Sequence, residues 1–212
     1  AMAFYGGLGD LLATAATRGW TSADEICIAY WLSSWKPTQG TRNAGQVSRQ
    51  RRQGRRIVYT NGKMELRTDD APIVEWQFPA PIGTQKVVAE FTMADSVTIP
   101  RHLATPAIRS YMTMTAVNDL TDPDPSPPTA VDDRGRSAQT FLIDVVARSG
   151  ATERRSVASG RDIYAISAPL VVEATERVLS GLVQRTGALT AGEAFDAEDF
   201  LRSLPLDHLS VA

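Results

Sequence analysis

The sequence predicts an α+β protein built on one large mixed or antiparallel sheet. Three observations point there. About nine short runs rich in β-branched and aromatic residues fall between residues 25 and 160, most of them bounded by glycine or proline. Only four stretches carry helical character, and they group around the strands. At 212 residues and 43% hydrophobic content, the chain can bury a sizeable core without disulfides, which its single Cys27 could not form internally.

Taken in order, residues 8–17 are rich in alanine and leucine and stop short of Gly19, the pattern of a helix. Residues 25–32 (Glu-Ile-Cys-Ile-Ala-Tyr-Trp-Leu) are expected as a central strand buried on both faces. Residues 40–53 read as a polar helix with Thr41 as its N-cap. The clearest local signal follows. Two five-residue runs, 56–60 and 63–67, flank Asn61-Gly62 and predict a hairpin closed by a type I′ turn. Residues 73–78 and 86–91 read as strands separated by Pro79, Pro81 and Gly83. Residues 97–99 and 108–114 read as two more, with Pro100 and Pro106 confining each to its side of a loop.

Residues 122–136 contain Asp122, Pro123, Asp124, Pro125, Pro127, Pro128, Asp132 and Asp133, and are expected as an exposed, mobile loop. A second hairpin, 140–148 with 154–160, is predicted around Ser149-Gly150. Residues 169–182 form an amphipathic helical pattern. Asp196 reads as the cap of a last helix reaching Leu204, with Asp199 three residues on.

Composition removes several function classes. A net charge of −2 gives no overall pull toward nucleic acid or membrane. No apolar run approaches the roughly 20 residues that span a bilayer, so a cytoplasmic location is the default expectation. His102 and His208 with Cys27 cannot assemble a zinc site of the usual kind, and no metal is expected. Gly-x-Ser-x-Gly, Walker, His-Glu-x-x-His and Cys-x-x-Cys patterns are missing, so hydrolase, nucleotide triphosphatase and redox-thiol chemistry have no positive signal.

Several residues are candidates for touching a ligand. In Tyr5-Gly6-Gly7-Leu8-Gly9, bare backbone ahead of a helix N-terminus allows close approach of an anionic group; the alternative is a tight packing turn. Arg42, Arg49, Arg51, Arg52, Arg55 and Arg56 could meet an acidic group or line a solvated helix face, with Arg42 the first choice for a binding role. Tyr30, Trp31, Trp35 and Trp76 could wall an apolar pocket or fill core between sheet and helix. Arg101 and His102 follow a Pro100 turn, and His102 is the candidate acid–base imidazole or else a capping histidine. Arg161, Asp162 and Tyr164 open the long helix and could orient a ligand, or cap and pack beneath that helix.

Five motifs also resemble one family. They are Phe4-Tyr5-Gly6-Gly7-Leu8-Gly9-Asp10-Leu11-Leu12; Ala29-Tyr30-Trp31-Leu32-Ser33-Ser34-Trp35 with Pro37-Thr38 and Gly40-Thr41-Arg42; Gly135-Arg136-Ser137-Ala138-Gln139; Gly160-Arg161-Asp162-Ile163-Tyr164; and Gly192-Glu193-Ala194-Phe195-Asp196. In this order they resemble the second, C-terminal domain of saccharopine dehydrogenase-like NAD(P) oxidoreductases, over nearly the whole chain. The members that form saccharopine carry an acidic residue and a proline where Tyr5 and Gly6 stand.

The resemblance implies a sheet covered by helices on one face, which in that family also supplies a dimer surface. It implies that residues 1–20 are a crossing segment and helix following a Rossmann domain that this chain lacks, and that residues 21–212 are a substrate-binding and dimerisation domain. Substrate contacts are then expected at Tyr5, Gly6, Gly7, Trp35, Arg42, Arg101, His102, Arg161 and Tyr164. NAD or NADP is implied for a full-length enzyme, with no cofactor held by this chain. A homo-oligomer, a small-molecule substrate and an apolar surface around Phe4, Tyr5 and Leu8 complete the expectation. The alternative is a stand-alone, non-catalytic ligand-binding or interaction protein that kept only this domain.

Overall fold

The computed structural model describes residues 2–123, 126–183 and 185–212. Among them, nine strands form one open, mostly antiparallel sheet accompanied by seven helices. The chain begins with α1 (Gly9–Ala16), β1 (Glu25–Leu32), α2 (Gln39–Arg51), β2 (Arg56–Thr60) and β3 (Lys63–Arg67). Next come β4 (Ile73–Gln77), β5 (Thr84–Ala89), α3 (Asp95–Thr98), β6 (Ile108–Thr113) and α4 (Met114–Thr121). It ends with β7 (Thr140–Ser149), β8 (Thr152–Arg161), α5 (Ser167–Leu179), α6 (Ala191–Ala194), α7 (Ala197–Ser203) and β9 (His208–Ser210).

The sheet order is β3-β2-β6-β1-β7-β8-β9, and β5 joins the outer edge of β6 beyond β2, carrying β4 with it. β1 and β6 run parallel, while β1 and β7 are antiparallel with Ile28 opposite Val145 and Tyr30 opposite Ile143. Period-two alternation divides β1 as an apolar strand between two cores must be divided. Ile26, Ile28, Tyr30 and Leu32 face the helices and are buried with Leu8, Leu11, Leu12, Ile143, Leu170 and Phe200. Each such side chain contributes about 1.5–3 kcal/mol by leaving water.

On the opposite face, Ala29 belongs to a smaller cluster with Phe78, Val87, Leu142 and Val157. The β4–β5 hairpin closes over it. Trp76 packs on Tyr111 at 4.8 Å between ring centroids and donates its indole N–H to the buried Asp144 carboxylate at 2.8 Å. Arg155 pairs with the same carboxylate at 2.5 Å, so this buried charge is satisfied. The Asn61-Gly62 turn is as expected, with φ of 52° and 73° at its two residues.

Four elements depart from the sequence reading. Residues 97–99 are helical, α3 running into a single tight turn at Ile99–Arg101. There Pro100 fits a helix start, and burial of Ile99 against the core outweighs its β preference. β6 stops at Thr113, and Met114 opens a helix where strand was expected. The cap of α2 is Thr38, whose hydroxyl accepts from the Thr41 N–H at 3.2 Å; Thr41 is inside the helix. α6 was missed because it is a single turn, although Thr190 and Glu193 form a complete capping box.

Phe4 and Leu8 are buried in the chain's own core, and Tyr5 is half-buried against it, so the apolar start is not the bare surface expected. The described residues of 122–136 contain no regular element apart from an isolated bridge from Ala130 to Ser137; Asp124 and Pro125 lie outside the described residues.

Candidate functional site

A cleft of about 520 Å³ opens between the N-terminal turn, one face of α2, and the chain around residues 91–94 and 163–167. Its walls come from sequence positions far apart. Tyr5 lies ahead of α1, Trp35 follows β1, Leu120 is on α4, and Tyr164 precedes α5. α2 contributes Thr41, Ala44, Gly45 and Ser48, small side chains that leave room, and Arg52 is its C-cap.

Each aromatic wall is held in place. The Trp35 N–H donates to Asp119 of α4 at 2.6 Å, and its indole N–H donates to the Tyr164 hydroxyl at 3.3 Å. The Thr38 N–H donates to the same hydroxyl at 3.1 Å, and Thr41 Oγ1 lies 3.0 Å from it. A phenol oxygen that accepts two N–H groups has its own proton left for Thr41 Oγ1, so Tyr164 is fully engaged. Tyr164 is itself set by Asp162, which sits at a φ of 60° and accepts from Ser137 (2.6 Å), Tyr164 (2.9 Å) and Ala165 (3.1 Å). Burial pushes the Asp162 carboxyl up, but those N–H groups bring it below the ordinary carboxylate value.

Tyr5 is different. Its ring packs 5.4 Å from Trp35 and 5.3 Å from Tyr30, yet its buried hydroxyl has no hydrogen-bond partner. Burial, then the neighbouring Tyr164 and Asp95, push its ionisation well above the normal phenol range, so it remains an O–H donor. An orphaned buried hydroxyl costs about 1–3 kcal/mol, and a ligand acceptor would recover it.

The other sequence-derived candidates lie elsewhere. Gly6 is required by its φ of 79°, but the turn offers no anion site: the Gly7 and Leu8 N–H groups both donate to the Ala3 carbonyl. The carboxylate of Asp95 already sits there. A Cβ on Gly9 would fall 2.4 Å from both Asp95 Oδ1 and the Tyr30 hydroxyl. The turn therefore does not fit a dinucleotide pyrophosphate.

Arg42 donates to the Pro37 carbonyl at 3.3 Å and does not line the cleft. Arg101 points at the Ala188 carbonyl, 2.8 Å away. His102 is enclosed beside α1, with Nε2 2.9 Å from Thr14 Oγ1 and Nδ1 3.2 Å from Thr190 Oγ1. A carboxylate invisible in the sequence pairing does stand near it, Asp10 Oδ1 at 3.5 Å. Burial pushes Asp10 up to about 6 and His102 down, and Gly192 packs so closely on the imidazole that no substrate atom can enter. Arg161 is exposed, 4.0 Å from Asp132.

Thus Tyr5, Trp35 and Tyr164 come together, and six candidates do not join them. Sequence reasoning missed Arg52 as an individual, together with Asp119 and Leu120; only α4, itself unforeseen, places those last two. Arg52 stands at the end of a helix with no acidic residue among its thirteen. Among the described residues, no group of three or more His, Cys, Asp or Glu could hold a metal ion, and no helix is long and apolar enough to cross a membrane.

The fold and the cleft define an α+β sheet protein with an aromatic-walled cleft on its helical side. Compared with known proteins, the chain matches no family model and no curated protein at a significant level.

Proposed function

We propose that this chain is a small-molecule-binding domain whose ligand lies in the cleft between Tyr5 and α2. We further propose that it serves as the substrate-binding part of a saccharopine dehydrogenase-like NAD(P)-dependent oxidoreductase. The binding part rests on one observation: Tyr5, Trp35 and Tyr164 wall a single cleft, and the buried hydroxyl of Tyr5 lacks a protein partner. The oxidoreductase part rests on the order of the five motifs. In such an enzyme hydride transfer is the cofactor's chemistry. The residues here would orient the substrate, donate a hydrogen bond from Tyr5 and exclude water. Because the glycine turn does not fit a pyrophosphate, this chain by itself is expected to bind neither NAD nor NADP. Calorimetric titration with NADH and NADPH checks that, and a micromolar affinity for either would overturn it.

A stand-alone binder is the second reading, favoured by Asp95 filling the place where a cofactor phosphate would meet the crossing turn. Both readings need the same cleft. NMR titration with 4-phenylbutyrate and 4-phenylbutanamide tests it. The backbone amides of Tyr5, Thr41, Ala44, Gly45 and Tyr164 are expected to move with at least one of the two. If neither compound shifts them at millimolar concentration, the cleft is not a binding site and the proposal falls.

A further inference from the structure

We infer that the ligand of this cleft is a monoanionic carboxylic acid with an apolar body, its carboxylate received by Arg52. This rests on the cleft being the binding site. The guanidinium of Arg52 is half-buried at the cleft wall and is held by neutral acceptors alone. Its Nη1 donates to the Arg55 carbonyl at 2.7 Å and to Thr92 Oγ1 at 3.0 Å, and its Nε to Ser48 Oγ at 3.4 Å. No carboxylate lies within 4.0 Å of it among the described residues. Arg55 and Arg154 are also half-buried and donate to neutral acceptors, but neither lines the cleft; three further arginines are matched with acids. Arg56 meets Glu90 at 2.8 Å, Arg155 meets Asp144 at 2.5 Å, and Arg177 meets Glu173 at 2.6 Å.

A partly desolvated cation without a counter-ion carries a cost, and this one is oriented by three neutral contacts that leave its charge uncompensated. Arg49, one turn earlier on the same helix, adds to the positive field, and no acidic residue within α2 offsets it. Much of the remaining lining is apolar or aromatic, including Phe4, Trp35, Phe91, Met93 and Leu120, and its polar members are uncharged hydroxyl side chains. A planar carboxylate matches a guanidinium edge, and the Nη2 side of Arg52 is left open by those three contacts. A phosphate monoester carries nearly two charges at neutral pH, and this half-buried site presents one cation to meet them. The geometry therefore favours the carboxylate over the phosphate, and the apolar walls take a body without further charges.

The test compares affinities for three probes on the whole chain at low ionic strength: 4-phenylbutyrate, its neutral amide 4-phenylbutanamide, and phenyl phosphate. 4-Phenylbutyrate is expected to bind at least tenfold tighter than the amide, and tighter than phenyl phosphate. The preference should vanish in Arg52→Gln, with amide affinity retained, and persist in Arg52→Lys. Should Arg52→Gln fail to fold, the Arg52 Nε–H resonance of the wild type decides: it should move with the acid and not with the amide. A preference under tenfold, a preference surviving in R52Q, or an unmoved Arg52 resonance overturns the inference while leaving the cleft as a binding site. Equal or tighter binding of phenyl phosphate overturns the carboxylate assignment. If no probe moves the cleft amides, the underlying reading fails as well.

Discussion

Asp95, the first residue of α3, is fully buried against the start of α1, and its Oδ2 accepts from the Tyr30 hydroxyl at 3.0 Å. Burial pushes its carboxyl up to about 6 from an ordinary 3.8, against the pull of that hydrogen bond. An acid whose folded value is raised binds its proton more tightly when folded. Its contribution to stability is therefore full below 3.8 and is lost as pH rises through about 6. Asp95→Asn removes the titration while keeping size and one acceptor. The stability of wild type relative to D95N is expected to be greater at pH 5 than at pH 8 by about 1 to 1.5 kcal/mol, less than the ~3 kcal/mol ceiling of a two-unit shift. Urea denaturation at both pH values measures it. A gap that is constant, or larger at pH 8, would mean that Asp95 is not raised. His102 titrates in the same window with the opposite sign, but it is common to both proteins and cancels in the difference.

α1 poses a contest of magnitudes at Gly9. Alanine in place of glycine inside a helix gains about 1 kcal/mol of helix propensity. Here, however, the added Cβ would meet Asp95 Oδ1 and the Tyr30 hydroxyl at 2.4 Å. Both side chains are fully buried and bonded to each other, so neither can swing away. Overpacking of this kind costs about 1–3 kcal/mol and also disturbs the Asp95 hydrogen bond. Gly9→Ala is expected to destabilise by about 1–2 kcal/mol, read as a lower urea midpoint with unchanged slope. A stabilised variant would show that Asp95 does not hold this position. The same element explains why the glycine turn serves packing here: an internal carboxylate already occupies the N-terminus that a ligand would use.

The molecule as a whole keeps one conspicuous apolar face outside its cores. On and just beyond α5, Val171, Val172, Val178, Leu179 and Leu182 are exposed, Leu179 by 82%. With Met2, Leu189 and Phe195, several of them line a shallow groove of about 320 Å³. Contiguous apolar surface of this kind seldom stays bare on a monomer, so the chain is expected to self-associate through α5. Light scattering coupled to size exclusion should give at least a dimer, and Val178→Lys with Leu179→Lys should shift it toward monomer. A 23.0 kDa monomer of the wild type at tens of micromolar would refute the expectation. The apolar chain start plays no part in this, because Phe4 and Leu8 are buried internally.

The amino-acid order alone determined whatever rests on contacts close in sequence. The continuous β-rich apolar run in residues 25–32 specified a two-sided central strand, and Asn61-Gly62 specified its hairpin, because both depend on backbone geometry within a few residues. Asp196 specified the start of α7 for the same reason, its carboxylate accepting from the Asp199 N–H at 3.1 Å. Of the site, the aromatic members Tyr5, Trp35 and Tyr164 were legible as residue types worth singling out. Only the tertiary structure decided that these three share a wall, while His102 closes onto Thr14 and Thr190. It alone turned residues 97–99 into helix, and it alone left Arg52, of six neighbouring arginines, at the cleft without an acid. Burial, the supply of counter-ions and the filling of a helix terminus by Asp95 are set by residues far apart in the sequence, and no local pattern encodes which of them will meet.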